Sequence, residues 1–241
     1  MTGPVPFAPH PGFDPDALAA RFAPTGRLQI RNLLPEADAE DVWGALARTR
    51  WRIGVNAPDR NYDIPEEALA TIPQADRDTF FGQALARART EFQFIYKRYP
   101  LTQNGEPHAG PDEAHRRLVA MLNAPAFIAA IRTITGDPSI VLADAQATLY
   151  EPGHFLTAHD DGHEAKKQRR AAFVLSMAKD WQAQYGGLLL FLGPDGHVIE
   201  GFSPLFNTLN LFRVPQMHCV SAVAPFAPRG RYSITGWFRA G

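Results

Sequence analysis

From Gly136 to the C-terminus the chain breaks into short apolar-rich runs separated by Gly, Pro and Asp: residues 139–142, 145–150, 171–177, 187–192, 198–199, 208–212, 219–223 and 232–238. Runs this short, punctuated by turn-forming residues, read as strands. Roughly eight of them in succession predict an antiparallel barrel or double-sheet jelly roll. The earlier part has a different texture. Helical potential is short around residues 14–22. It returns over 36–50, where Val42, Leu46 and interleaved alanines follow Pro35. It is present again from about 75 to 96, ending before Pro100, and over 112–122 and 124–133. Residues 26–30 alternate like a strand. Residues 51–71, with Gly54, Pro58, Asp59 and Pro65, read as an irregular loop, and 102–111 as a polar one. The expectation is an all-β core with α support, a double-stranded β-helix (jelly roll) flanked by N-terminal helices. One domain spans residues 1–241, with helical support over about 1–138 and the jelly-roll core over about 139–240.

At 241 residues such a domain can bury a sizeable core. A formal net charge of -1 creates no field that would recruit nucleic acid or an anionic membrane. Cys219 is the only cysteine, which excludes an intramolecular disulfide and suits a reducing compartment. Residues 1–15 lack the basic and apolar regions of a secretory signal. The longest apolar runs, such as 186–192, are too short to span a bilayer. A cytoplasmic protein is expected, with no membrane or nucleic-acid partner.

The chemistry concentrates in His159-Asp160-Asp161. On a strand, successive side chains point to opposite faces, so His159 and Asp161 share one face and Asp160 takes the other. A third donor must come from a distant strand, and His218 is the best candidate. Two imidazoles and one carboxylate leave open positions on a metal and point to non-haem Fe(II). The other histidines lack this placement: His154 has the wrong parity, His163 follows in a loop, and His197 sits in a turn. His10, His108 and His115 fall in loops or on polar helix faces. Zinc is disfavoured, because there is no cysteine pair or HExxH helix and Cys219 faces away from His218.

Downstream, Arg231, Ser233, Thr235 and Trp237 alternate onto one face of a strand. A buried arginine beside two hydroxyls calls for an anionic partner, since an unpaired internal charge is costly. A dicarboxylate cosubstrate supplies one, gripped at its distal end by the guanidinium fork. Arg229 is the rival, though it lies in the turn at 228–230.

These segments carry a family resemblance. Tyr150-Glu151-Pro152-Gly153-His154-Phe155-Leu156, then Thr157-Ala158-His159-Asp160-Asp161, resembles the metal-binding segment of the 2-oxoglutarate/Fe(II) dioxygenases of the prolyl-hydroxylase type. Residues 169–173, 186–191 and 231–238 look like further strands of that family. The branch it most resembles is that of the ribosomal oxygenases, whose eukaryotic members hydroxylate a prolyl residue of a small-subunit ribosomal protein. The resemblance covers roughly residues 140–240 and only loosely the part before.

The resemblance implies His159, Asp161 and His218 as iron ligands, Arg231 as the 2-oxoglutarate anchor and Tyr150 as a hydrogen-bond donor to that cosubstrate, with Thr235 beside it. It also implies ascorbate as an ancillary reductant. The reaction implied consumes dioxygen, releases succinate and CO₂, and hydroxylates an unactivated C–H bond. Many relatives place a second tyrosine on the strand after the first two ligands, where this chain has Ser176.

The retained Asp161 argues against a halogenase, which needs that position vacant. Arg231 argues against a cupin-like metal protein, which has no use for a buried cation there, and the complete triad argues against a non-catalytic module. A prolyl residue in a protein, a ribosomal protein among the candidates, is the substrate expected, with a free amino acid or other small molecule as the alternative. Residues 51–71 and the aromatic and basic stretch 92–101 are candidate walls for a peptide entrance, or else core aromatics beside a solvated face. Lys166, Lys167, Arg169 and Arg170 form a basic cluster by the site, or a solvated lead-in to a strand.

Overall fold

The computed structural model describes residues 4–103, 106–107, 112–162 and 168–241, which leaves His108, His163, Lys166 and Lys167 outside the described residues. In chain order the elements are α1 (Pro15–Phe22), β1 (Arg27–Arg31), α2 (Glu36–Ala47), β2 (Arg52–Asn56), β3 (Asn61–Pro65), α3 (Glu66–Ala70), α4 (Gln74–Arg87) and β4 (Phe94–Pro100). A small hairpin, β5 (Thr102–Gln103) and β6 (Glu106–Pro107), leads to α5 (Glu113–Leu122) and α6 (Pro125–Thr135). The remainder is β7 (Ile140–Tyr150), β8 (Phe155–His159), β9 (Arg169–Ser176), β10 (Leu189–Leu192), β11 (Val198–Phe202), β12 (Thr208–Arg213), β13 (His218–Val220) and β14 (Arg231–Ala240).

The strands from β7 onward form a jelly roll. One sheet runs β12-β9-β14-β7 and the other β8-β13-β10-β11, all antiparallel. Apart from the β10–β11 hairpin, successive strands therefore pass back and forth between the two sheets. Strand β4 stitches them together. Its Lys97–Pro100 end pairs with β7, while Phe94 and Ile95 pair with Leu156 and Phe155 of β8. At the far edge of the first sheet, β1 adds alongside β12.

Helices cover the outer face of the larger sheet. Asp14 caps α1 by accepting from the Asp16 and Ala17 N–H groups, and Gly136 ends α6 in the left-handed region at φ 69°. The helical apolar faces, including Phe22, Leu46, Leu118, Phe127 and Ile131, pack on Ile234 and Phe238 of β14 and Phe173 of β9. Each such side chain contributes about 1.5–3 kcal/mol by leaving water. On β14 the two-residue period thus sends Ile234 and Phe238 into this core, and Arg231, Ser233 and Thr235 to the opposite face. Gly236 lets β14 lie close to β7, since a Cβ there would meet the Asp144 carbonyl oxygen at 1.8 Å.

Several expectations need correction. Residues 51–71 form no loop: β2 and β3 make a hairpin, and α3 follows directly from Pro65. The helix expected over 75–96 stops at Arg87, and Phe94–Pro100 is the strand that stitches the sheets. Here Phe94, Tyr96 and Arg98 repeat at a spacing of two, which reads as helix only if the alanine-rich segment before them is extended through them. The supposed helical support over 1–138 thus supplies four strands to the sheet. In the opposite sense, runs 139–142 and 145–150 are one continuous strand, β7.

His115 is also misplaced by the sequence reading. It lies inside the fold, 1% exposed, with no hydrogen-bond partner for Nε2 among the described residues. Burial lowers its pKa from 6.5 to about 4. As pH falls, the unfolded chain protonates first, so this contribution is complete above about pH 6.5 and lost toward pH 4. The loss is on the order of 3 kcal/mol. His115→Leu is expected to flatten the fall in urea midpoint between pH 7 and pH 4.5 relative to the parent. Identical slopes would show that His115 does not carry this dependence.

Candidate active site

His159 closes β8 and His218 opens β13, and the two pair directly across the ladder with ring centroids 4.1 Å apart. Asp161 lies two residues past the end of β8, in the left-handed region at φ 62°. Strand alternation therefore does not align it with His159. A left-handed turn brings the carboxylate back over the histidines. Asp161 Oδ1 is 3.8 Å from His159 Nε2, and Oδ2 is 3.8 Å from His218 Nε2. One donor atom from each of the three residues falls within 4.8 Å of the others.

The tautomers follow from the backbone. His159 Nδ1 is 2.9 Å from the Thr157 carbonyl oxygen, and His218 Nδ1 is 2.8 Å from that of Gln216. A carbonyl only accepts, so each Nδ1 carries the proton and each Nε2 presents a lone pair to the cluster. Burial, and then the neighbouring His159, lowers the His218 pKa to about 4, which keeps that ring neutral. Two imidazoles and a carboxylate on one face are the donor set that fits Fe(II) with open positions.

Asp161 has two further partners. Arg169 donates to Oδ1 at 3.1 Å and Trp237 Nε1 to Oδ2 at 3.0 Å. The Arg169 guanidinium carbon lies 3.3 Å from the Trp237 ring centroid. Neither residue stood out in the sequence as a partner of Asp161, although Trp237 shares the parity of Arg231.

A cavity of about 330 Å³ opens beside this cluster, between the two sheets, and Arg231 lines it too. Arg231 is 1% exposed, and its Nε has no hydrogen-bond partner among the described residues. No carboxylate among the described residues lies within ion-pair distance of it. Burial lowers its pKa to about 10, so it is still a cation at neutral pH. Its guanidinium sits 5.1 Å from the Tyr150 ring centroid. The Ser233 hydroxyl is occupied by Thr148 at 2.7 Å, whereas Thr235 lines the cavity. The rival Arg229 is on the surface, paired with Asp180.

Ser176 does not replace a second tyrosine. It is buried, hydrogen-bonded by Asn210 Nδ2 at 3.2 Å, and is not part of the cavity lining. The second phenol is Tyr96 of β4, stacked on Tyr150 with ring centroids 4.9 Å apart. Burial raises both pKa values, so both hydroxyls stay protonated donors. Phe92, Phe94 and Arg98 line the same wall, and the half-exposed Phe92 ring is 5.4 Å from that of His159. The signal was the two-residue spacing of this stretch. His154, by contrast, accepts from the Glu151 N–H at a turn, and His197 is exposed.

The jelly roll, the His/Asp/His face and the buried arginine behind it define an iron-dependent oxygenase class, and comparison with known proteins agrees. Residues 145–239 match the 2OG-Fe(II) oxygenase superfamily, and this part of the chain is a 2OG-Fe(II) oxygenase domain. The family uses Fe(II) and 2-oxoglutarate, and the triad fits the iron.

The chain is homologous to prolyl 3-hydroxylase OGFOD1 of Mus musculus, 31% identical over 249 residues that cover 99% of this chain and 44% of that protein. For prolyl 3-hydroxylase OGFOD1 of Xenopus laevis the figures are 32% over 102 residues, 39% and 19%. The chain thus spans less than half the length of these curated relatives. Among solved structures, a prolyl-4-hydroxylase of Pseudomonas putida superposes with a TM-score of 0.61 at 19% identity, covering 95% of this chain and 100% of that one. A prolyl hydroxylase from Trichoplax adhaerens, in complex with a hypoxia-inducible-factor peptide fragment, gives 0.64 at 16%, covering 94% and 89%. At such identities the likeness establishes the shared jelly-roll fold.

Proposed function

We propose that this chain is an Fe(II)- and 2-oxoglutarate-dependent hydroxylase that acts on a prolyl residue within a polypeptide. The observation that carries this reading is Arg231, a buried cation with no anionic partner among the described residues, in the cavity that the His/Asp/His face also lines. A dicarboxylate satisfies both features at once. Residues 1–241 act as one catalytic domain, since β1 and β2–β4 join the sheet that carries β14. The single cysteine favours the cytoplasm as its location.

In this reading His159, Asp161 and His218 hold the metal. When bound, the iron and 2-oxoglutarate supply the oxidative chemistry that couples decarboxylation to C–H hydroxylation. The protein contributes placement. The backbone carbonyls of Thr157 and Gln216 fix both imidazoles. Arg231 grips the distal carboxylate of the cosubstrate, and Tyr150 and Thr235 donate hydrogen bonds to it. The stacked Tyr96 and Tyr150 rings form an apolar wall beside it. Phe92 and Phe94 present an aromatic surface next to His159 that suits a prolyl ring.

A peptide carrying proline docks with less loss of freedom, because the ring fixes φ. The relatives are prolyl hydroxylases by name, and one is solved with a peptide. A small-subunit ribosomal protein is the first substrate to test, on the resemblance to the ribosomal-oxygenase branch. With iron and 2-oxoglutarate present, succinate release should rise on adding proline-containing peptides or ribosomal protein, with one oxygen gained on a prolyl residue. Strong coupled turnover with free proline or another free amino acid, and none with peptides, would replace this reading with a small-molecule hydroxylase.

A further inference from the structure

Asp161 is an awkward place for a metal ligand. It sits beyond the end of β8 at φ 62°, in a conformation that no ladder imposes. The orientation of its carboxylate must be set by what its side chain touches. Each oxygen has one outside partner, Arg169 on Oδ1 and Trp237 on Oδ2. Those two partners also brace each other, since the guanidinium lies against the indole face at 3.3 Å. Both belong to paired strands: Arg169 stands opposite Arg239, and Trp237 opposite Ala172. The three side chains close a triangle, two of whose corners are held by the sheet.

The charge balance sharpens the point. Arg169 is largely buried, with a side chain 15% exposed, and its only ion pair among the described residues is with Asp161. A guanidinium so close to a carboxylate that is to bind a dication repels that dication. If Arg169 merely neutralised Asp161, its removal would tighten metal binding. If it orients the carboxylate, removal would weaken it. The two roles predict opposite signs.

We propose that Arg169 and Trp237 are positioning residues that clamp the Asp161 carboxylate, so that the affinity of the site for a divalent cation depends on a guanidinium held over an indole ring. The inference rests on the assignment of His159, Asp161 and His218 as the metal site. Lysine cannot reproduce the clamp fully, because it offers a point charge without the planar fork. Phenylalanine at 237 keeps a ring for the guanidinium and removes the Nε1–H donor to Oδ2.

The test is titration of the metal-free protein with Co(II), followed by calorimetry and by the visible spectrum of the bound ion, with no turnover involved. Arg169→Ala should raise the Co(II) Kd about 10- to 100-fold, the range seen when partners that orient ligands are lost. Arg169→Lys should recover part of this, and Trp237→Phe should weaken binding and change the Co(II) spectrum. Equal or tighter binding by Arg169→Ala would overturn the clamp. If that variant does not fold, as judged by circular dichroism, Arg169→Met and Trp237→Phe carry the same test. Asp161→Ala separates this inference from its premise: a variant that still binds Co(II) like the parent refutes the metal site itself, whereas loss there with no change in the Arg169 and Trp237 variants refutes only the clamp.

Discussion

Replacing Asp161 by alanine is expected to remove iron from the protein and reduce 2-oxoglutarate turnover to background. The residue supplies the only carboxylate in the triad, and two imidazoles on adjacent strands are a poor site for a hard dication. The sheet should still form, because Asp161 lies outside β8 and contributes no ladder pairing, but the melting temperature should fall, since the largely buried Arg169 loses its ion-pair partner. Alanine at φ 62° costs roughly 1–2 kcal/mol of backbone strain, which aspartate tolerates better. Asp161→Gly relieves that strain and is the companion variant. Iron content by elemental analysis, succinate release and a thermal melt together decide the matter. Retained iron and activity in either variant would mean that the triad is misassigned.

Arg231→Ala should weaken 2-oxoglutarate binding by roughly 2–5 kcal/mol, because a desolvated, charge-assisted pair is lost and the ligand carboxylate is left stranded. That is about thirtyfold to a few thousandfold in Kd. Calorimetric titration of the Mn(II)-loaded protein reads it directly. Arg231→Lys should fall between parent and alanine, since it keeps the charge and loses the bidentate fork. The apoprotein should respond differently. Its buried guanidinium pairs with no carboxylate among the described residues, so Arg231→Met is expected to cost the ligand-free protein little stability. 2-Oxoglutarate is expected to raise the melting temperature of the parent and to leave that of this variant unchanged. Unchanged affinity in Arg231→Ala would move the anchor elsewhere. Arg229 would be a poor substitute, being exposed and paired with Asp180.

The neighbourhood of Tyr96 shows how the sequence misleads. A helix was the natural extension of the alanine-rich segment ending near Ala88, and the same extension hid the wall of the cavity. Once β4 pairs with β2, β7 and β8, Phe94, Tyr96 and Arg98 fall on one face. Tyr96 then supplies the second phenol that was sought at Ser176. Nothing local to residue 96 announces a contact with Tyr150, more than fifty residues away.

What the sequence by itself determined is the part written in short-range periodicity and residue chemistry. The strand-rich second half, the short helices α1, α5 and α6, the shared face of Arg231, Thr235 and Trp237, and the donor types of the triad all follow from patterns a few residues long. Only the tertiary structure decided that Asp161 reaches the histidines through a left-handed turn, that Arg169 and Trp237 contact its carboxylate, that His115 is buried, and that Arg231 pairs with no carboxylate among the described residues. Each of these depends on burial, or on pairing between remote segments. Desolvation and long-range contact arise when segments meet, and periodicity within one segment carries no record of them.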